Sequence, residues 1–281
     1  MKTFQNITRR IGFCAVLACT GLQTPLQAKI TLPAFFTDNM IIQQQTTMTL
    51  FGKAKPNKKV SIETSWNNQH YETEADAQGN WQVAVSTPTA GGPYRITLSD
   101  GKKTVLENVM AGEVWFCSGQ SNMEMPVHGW SSVDNYQEEI KNADYPLIRT
   151  FNVTKGMDAQ PRNDCEGMWM VCSPDQVADF SAVAYFFARK LNLELNIPIG
   201  IINSSWGGTE IESWITPDAY KALPARFNDK YEAVDMADFD SFLKENEINK
   251  SLYQKAMDHD PGVKEQWYNP STDVSLWEKM L

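Results

Sequence analysis

The chain has 281 residues, of which 34 are acidic and 25 are basic, so its net charge at neutral pH is −9. A chain this acidic is poorly suited to bind nucleic acid or an anionic membrane surface, because both are bound through Lys and Arg. The length allows one large domain or two of ordinary size.

The first 28 residues have the pattern of a secretory signal peptide. Three basic residues precede an apolar stretch from Ile11 to Leu22, which is too short to span a bilayer comfortably, and Ala28 offers a small residue for cleavage. Cleavage would leave 253 residues with a net charge of −12, because three basic and no acidic residues are removed. We therefore expect a periplasmic or extracellular protein.

A lipid anchor is a second possibility at this end of the chain. Val16-Leu17-Ala18-Cys19 resembles a lipoprotein processing site, which would tether the protein to a membrane through Cys19. A buried helix of the mature protein is the remaining alternative. No later apolar run is long enough to cross a membrane, so no membrane span is expected.

Residues 29–111 predict a small all-β sandwich domain. Short apolar or alternating runs recur there, separated by turn signals rich in Gly, Asn and Pro. The runs are Thr47–Phe51, Val60–Thr64, Trp81–Val85, Tyr94–Leu98 and Thr104–Val109. We interpret His70 as a surface side chain rather than a ligand, and we find no catalytic group of residues in this part.

Residues 112–281 alternate strand-like and helix-like runs, which is typical of an α/β fold. Val114–Cys117 predicts a short buried strand, and Ile199–Ile202 predicts a second one. A helix is predicted between them, with one apolar face made of Phe180, Val183, Ala184, Phe187 and Leu191. From about residue 228 the chain becomes acidic and predicts an exposed helical insertion, in which His259 marks a helix end.

Ser121 follows the first of these strands in Gly119-Gln120-Ser121-Asn122-Met123, just before a stretch that can start a helix. A serine at such a turn exposes its hydroxyl near helix N–H groups that lack partners, and these groups stabilise developing negative charge. That is the setting a serine nucleophile needs. Met123 stands where the G-x-S-x-G elbow has its second glycine, and a helix N-cap is an alternative role for this serine.

The second strand runs into a glycine pair, Gly207-Gly208, within the loop from Asn203 to Thr209. Backbone N–H groups in such a loop can face a ligand. A tight turn that needs glycine's conformational freedom is an equally good interpretation of the local sequence.

Cysteine usage adds little chemistry. Cys14 and Cys19 lie in the signal segment, and Cys117 is expected to be an inert core residue. Cys165 and Cys172 lie in a loop-like region and would be able to pair in an oxidising compartment. No C-x-x-C or His/Cys cluster occurs, so we expect neither a metal nor a cofactor.

Four segments together resemble the sialate O-acetylesterase family, a group of SGNH/GDSL-like carbohydrate esterases that remove acetyl groups from glycans. The segments are Leu32–Met40, Gly112–Met125, Phe180–Phe186 and Ile199–Trp214. The resemblance spans roughly residues 30–215 and covers an N-terminal portion of the family. It implies an SGNH-hydrolase-like three-layer α/β/α domain, which we expect to be incomplete in this chain, preceded by the β-sandwich.

The resemblance also assigns roles to residues. Ser121 would be the nucleophile, and its N–H would form an oxyanion hole together with that of Gly207 or Gly208. Gln120, Asn122 and Trp206 would bind substrate, although Trp206 and Trp214 are as readily explained by core packing. The implied protein is an exported serine esterase acting on acetylated sialic acid or related glycans. The alternatives are an acetyl xylan or hemicellulose esterase, or a non-catalytic glycan-binding remnant of the fold.

The sequence departs from the family in its catalytic base. The family supplies this base from an Asp-x-x-His motif and a further oxyanion donor from a Gln in a Y-Q-G-E-like strand end, and neither motif occurs here. His128 is the one local substitute for the base, seven residues after Ser121. We therefore expect this chain by itself to lack the catalytic Asp-His pair.

Overall fold

The computed structural model describes residues 30–158, 160–224 and 236–266, together with Asn269 and Ser271. The predicted signal segment, including Cys14 and Cys19, lies outside the described residues, as do residues 225–235 of the predicted acidic insertion.

Ten strands form the β structure of the described residues. They are β1 Ile41–Gln43, β2 Thr47–Lys53, β3 Lys59–Thr64, β4 Gln69–Glu74, β5 Asn80–Ser86, β6 Gly91–Ser99, β7 Lys103–Gly119, β8 Tyr145–Val153, β9 Gly167–Cys172 and β10 Ile199–Ser205. All five strands predicted before residue 111 are present. His70 is exposed on β4, as expected of a surface side chain.

Six α-helices complete the described part. They are α1 Ser121–Glu124, α2 Tyr136–Lys141, α3 Ala182–Leu195, α4 Pro217–Lys221, α5 Met236–His259 and α6 Pro261–Lys264, with short 3-10 turns at Val177–Asp179 and Ile211–Trp214. The helix predicted in the acidic region is α5, and it ends at His259 as expected. None of the described helices is both long enough and apolar enough to cross a bilayer.

The N-terminal part packs two sheets face to face. β2 and β5 form one antiparallel pair, while β4, β3, β6 and the first half of β7 form the other sheet in that order. Alternate residues of both sheets point inward, as two-sheet packing requires, and several of them are fully buried. These residues include Leu50, Val60, Val85, Ile96 and Val109.

The second half of the molecule is built on the parallel strands β7, β10 and β8, with β9 antiparallel at the edge. Ile199 and Ile201 of β10 face a cluster formed with α3, whereas Ile202 faces the cluster shared with the N-terminal strands. The predicted mixed α/β class is confirmed. In the described part the helices α2 and α3 cover one face, and the N-terminal segment covers the other.

β7 joins both halves in one continuous strand of 17 residues. Its first half pairs antiparallel with β6, and its second half pairs in parallel with β10. The predicted domain boundary at residues 111 and 112 therefore falls inside a strand. Whether the two parts behave as separate domains stays a prediction.

Two predictions of burial are wrong. Of the predicted apolar face, Phe180 and Ala184 are buried, but Val183 and Phe187 of α3 are exposed. The buried face of the helix instead includes Tyr185 and Ala188, because small alanines let the helix lie close to the sheet. In β7, Trp115 is 43% exposed and Phe116 67% exposed, so Val114–Cys117 is not a buried strand. Within the described residues, β10 covers only one edge of this segment, and Phe187 provides a ring contact to Trp115 with centroids 5.0 Å apart.

The predicted Cys165–Cys172 disulfide is also wrong, since both thiols are free. The intervening chain is not a loop but the extended strand β9, which spans about 16 Å at roughly 3.3 Å per residue. A disulfide needs Cα atoms within about 7 Å. Cys172 is instead buried beside α3 with its pKa raised to about 12 by that burial, while Cys165 packs against the N-terminal core.

Candidate active site

Three parallel strands, β7, β10 and β8, end at the same edge of the sheet and lead into the loops of the candidate site. Ser118 of β7 pairs with Ser204 of β10, and Asn203 of β10 pairs with Asn152 of β8. Side-chain amides continue this alignment, since Asn203 donates to Asn152 over 3.2 Å. Ligands in open α/β sheets bind beyond these carboxyl ends.

Ser121 stands at the first position of α1, directly after β7. The Gln120 residue occupies the N-cap position, and its carbonyl accepts hydrogen bonds from the Met123 and Glu124 N–H groups. The alternative role of Ser121 as an N-cap is therefore excluded. Its side chain is exposed, and neither its hydroxyl nor its N–H has a hydrogen-bond partner among the described residues.

The glycine loop after β10 lies directly against Ser121. The Trp206 N–H donates to the Gly119 carbonyl over 2.9 Å, which ties the two loops together. A Cβ atom at Gly207 would lie only 3.1 Å from the Ser121 Cβ, so a side chain at 207 would push against Ser121. The structure thus brings together the two segments that the sequence singled out.

The two glycines differ in what their backbone does. The Gly207 N–H donates to the Glu124 carboxylate, so it is occupied. Gly208 is exposed at φ +80°, in the left-handed region that favours glycine, and its N–H has no partner in the part of the chain described. Of the two amides considered from sequence, only that of Gly208 is open.

Glu124 and Lys155 are the site residues that the sequence analysis missed. Glu124 accepts hydrogen bonds from the Gly207 N–H and from the Lys155 ammonium group. Partial burial acts to raise the pKa of Glu124, but the hydrogen bonds from Lys155 and Gly207 and the charge of Lys155 outweigh it and hold the pKa below its ordinary value. The spacing from Ser121 to Glu124 would have placed both on one helix face, whereas nothing local pointed to Lys155.

A groove of about 520 Å³ opens beside the glycine loop. Trp206 and Trp214 line it, and Lys155 lies over the Trp206 ring at 5.6 Å from the centroid. Thr209 orders the two indoles, because its hydroxyl donates to the Trp206 carbonyl and accepts from the Trp214 ring N–H. Trp206 and Trp214 therefore present part of their rings to a cavity rather than serving only as core.

A larger groove, of about 730 Å³, lies in the N-terminal part of the molecule. Its walls come from the segment at Thr31, from strands β2, β4 and β5, and from the loop at Asp164. None of its lining residues belongs to the Ser121 or glycine segments. The smaller groove is therefore the better candidate for the substrate site, because residues of the glycine loop line it.

The three histidines lie in other surroundings than Ser121. His128 Nδ1 is 2.8 Å from the Ser132 hydroxyl, and its ring stacks on Tyr136 with centroids 4.0 Å apart. His259 Nδ1 contacts the Lys255 carbonyl at the end of α5. No histidine in the described ranges contacts Ser121, so His128 does not act as its base in this structure. The same ranges contain no group of three His, Cys, Asp or Glu side chains suited to a metal.

Comparisons with known proteins agree on one family. Residues 111–239 match the family model described as "Carbohydrate esterase, sialic acid-specific acetylesterase". Sialate O-acetylesterase of Rattus norvegicus is 33% identical over 50% of this chain and 28% of its own length, and that of Homo sapiens is 26% identical over 72% and 42%. The crystal structure of a carbohydrate acetylesterase from Xanthomonas citri matches with a TM-score of 0.64 and 32% identity, over 68% of this chain and 43% of that one.

The chain spans less than half the length of the relatives that it matches. Both site segments, at Ser121 and at Gly207, lie inside the matched residues 111–239.

Proposed function

We infer that the protein is a serine esterase that removes O-acetyl groups from glycans, because residues 111–239 match the model of the sialic acid-specific acetylesterase family of carbohydrate esterases. One observation carries the proposal: the exposed Ser121 hydroxyl stands at a strand-to-helix turn against the glycine loop. Acetylated sialic acid is the proposed substrate, in line with the names of the curated relatives.

The proposed reaction is acyl transfer through Ser121. Its hydroxyl attacks the acetyl carbonyl and gives its proton to a base, which returns the proton to the departing sugar oxygen. The N–H groups of Ser121 and Gly208 stabilise the oxyanion of the tetrahedral intermediate, because both are open in the described structure. Water then hydrolyses the acetyl-serine.

The proposed sugar subsite is the groove beside the glycine loop. The half-buried Trp206 offers an apolar ring face there, which suits the hydrophobic face of a sugar. Gln120 and Asn122 flank Ser121, are exposed, and have side chains able to hydrogen-bond sugar hydroxyls. An acetylated hemicellulose would use the same contacts, since none of them requires a carboxylate on the sugar.

A second candidate is a non-catalytic glycan-binding protein of the same fold. The observation that favours it is that no histidine among the described residues contacts Ser121. A serine hydroxyl without an adjacent base is a weak nucleophile.

The test measures acetate release from an aryl acetate, from O-acetylated sialic acid and from acetylated xylo-oligosaccharides, using the protein as its gene encodes it. Ser121→Ala should lower kcat by roughly 10⁶, the scale seen when a catalytic serine is lost. The ratio of kcat/KM between the two glycans identifies the substrate. Turnover that survives in Ser121→Ala contradicts the serine assignment, and glycan binding without any turnover in the unaltered protein supports the second candidate.

Export is a separate proposal, based on the N-terminal pattern alone. Mass spectrometry of the protein from its native host should show a mature N-terminus at Lys29, or a lipid-modified Cys19 if the lipoprotein pattern is used. Finding Met1 on the mature protein contradicts both.

A further inference from the structure

Glu124 makes contacts that the proposed reaction does not require of it. It lies three residues after Ser121 on the single turn of α1, so the two side chains share a helix face. A Cβ atom at Gly207 would lie 3.1 Å from the Glu124 Oε2 and also 3.1 Å from the Ser121 Cβ. The Glu124 carboxylate and the Ser121 side chain therefore both lie against Gly207.

Both carboxylate oxygens are used, and each reaches a different segment. Oε2 accepts from the Gly207 N–H in the loop after β10, and Oε1 accepts from Lys155 in the segment after β8. Lys155 is the one charged side chain that contacts Glu124 within the described residues. A single side chain of α1 thus connects the ends of all three parallel strands.

The occupied Gly207 N–H fixes the loop beside Ser121. When a carboxylate accepts from a backbone N–H, the charge-assisted hydrogen bond is about twice as strong as a neutral one. Gly208 has open space around it and a left-handed φ, so its own surroundings do little to hold it. The Gly207 hydrogen bond, one residue earlier, restrains it together with two contacts of Trp206, whose N–H donates to the Gly119 carbonyl and whose carbonyl accepts from the Thr209 hydroxyl.

We propose that Glu124 is a positioning residue whose carboxylate fastens the loop 206–208 to the nucleophile helix and so holds the Gly208 amide in place for the oxyanion. The part of the proposal that concerns the oxyanion rests on the proposed esterase function. The fastening itself does not, and it is measurable without turnover.

The first experiment measures amide hydrogen exchange of the loop peptide containing Gly207 at neutral pH in the full chain. Glu124→Ala removes the acceptor and should reduce protection of this peptide at least tenfold. Glu124→Gln keeps a carbonyl oxygen that can accept from the same N–H, so protection should largely remain. Glu210→Ala is the matched control, because Glu210 is an exposed carboxylate just after the same loop and its side chain has no partner in the described structure.

The second experiment measures kcat and KM in the protein as its gene encodes it. A misplacement of about 1 Å in a catalytic group can cost 10²-fold, so Glu124→Ala should lower kcat by about that factor with little change in KM. Glu124→Gln should recover most of the rate.

The outcomes separate this proposal from the esterase function. Unchanged loop protection in Glu124→Ala overturns the fastening, whatever the activity. A higher kcat in Glu124→Ala also overturns it, because the carboxylate would then be blocking an oxyanion donor. If the unaltered protein shows no turnover, the esterase function fails, and the exchange measurement alone decides the role of Glu124.

Discussion

Gly207 is the residue at which the two site segments come closest. Its missing side chain lets the loop approach both Ser121 and Glu124, since a Cβ atom would meet each at 3.1 Å. Gly208 is required for another reason, because its φ of +80° is strained for any residue with a side chain. Two adjacent glycines are thus constrained by different physical causes.

Valine substitution at each glycine tests this difference. Gly207→Val should displace the loop from Ser121 and lower kcat by about 10²–10³, the scale of one lost oxyanion donor. Gly208→Val should lower kcat through backbone strain while leaving the space beside Ser121 unchanged. Kinetics on an aryl acetate measure both, and small equal effects indicate an ordinary turn.

The charge on Glu124 makes a pH-dependent contribution to stability. Its folded pKa lies below the ordinary value of 4.5, so the contribution is complete above that value and is lost as the pH falls through the folded pKa. The free energy of unfolding in urea, compared between the unaltered protein and Glu124→Gln, should differ most at about pH 7 and converge toward about pH 3. A difference that is constant across this range contradicts the lowered pKa.

The sequence allowed prediction of residues whose role is local. Ser121 and the glycine pair could be predicted as site candidates because each directly follows a strand end that is recognisable from neighbouring residues, and the structure brings the two segments together. Their catalytic roles stay a prediction. Glu124 is in the same segment, but its partners Gly207 and Lys155 come from other loops, so its role emerged only from the packing. The choice between Gly207 and Gly208 likewise depended on a hydrogen bond between distant segments.

At the scale of elements, Arg149 of β8 links the two halves of the molecule. It is almost fully buried, and its guanidinium donates to the carbonyls of Asn39 and Asn108 and to the Asn108 side chain. Burial lowers the pKa of Arg149 to about 10, so it remains charged at neutral pH. Both asparagines have positive φ, a conformation that asparagine tolerates better than most residues.

Arg149→Met should therefore destabilise the protein by about 3 kcal/mol, because three hydrogen bonds to a buried cation are lost and the carbonyls are left without donors. Urea unfolding measures this loss. Arg95→Met is the control, since Arg95 is exposed on β6. Equal effects of the two substitutions contradict the structural role of Arg149.

Elements were predicted better than their burial. The strands before residue 111 follow from local alternation and turn signals, and β10 follows from an apolar run. The buried face of α3 was predicted only in part, because Phe187 is more apolar than Ala188 and yet Ala188 is the one that is buried. Small residues lie against the sheet because they allow close packing. Which face of the helix is buried therefore depends on the sheet as well as on the sequence of the helix.

At the scale of the whole molecule, the open edge of β7 is an association hazard. Beyond residue 114, β10 is the only described strand that pairs with this segment, and Phe116 is 67% exposed. Unpaired strand edges recruit other chains, and charged side chains discourage this.

We therefore expect the 281-residue chain to self-associate and Phe116→Lys to reduce the association. Leu193→Lys is the control, because Leu193 on α3 is 64% exposed but lies on a helix. Sedimentation velocity measures the fraction of oligomer. Equal effects of both substitutions argue against the strand edge.

The continuous strand β7 also connects the two halves without a loop between them. Its 17 residues extend for roughly 50 Å at about 3.3 Å per residue, from the β3–β4–β6 sheet to the turn that carries Ser121. A rotation of one half against the other would have to bend a strand that is paired with β6 in its first half and with β10 in its second half. If the proposed glycan substrate contacts both parts, the length of β7 sets the distance between the two contacts.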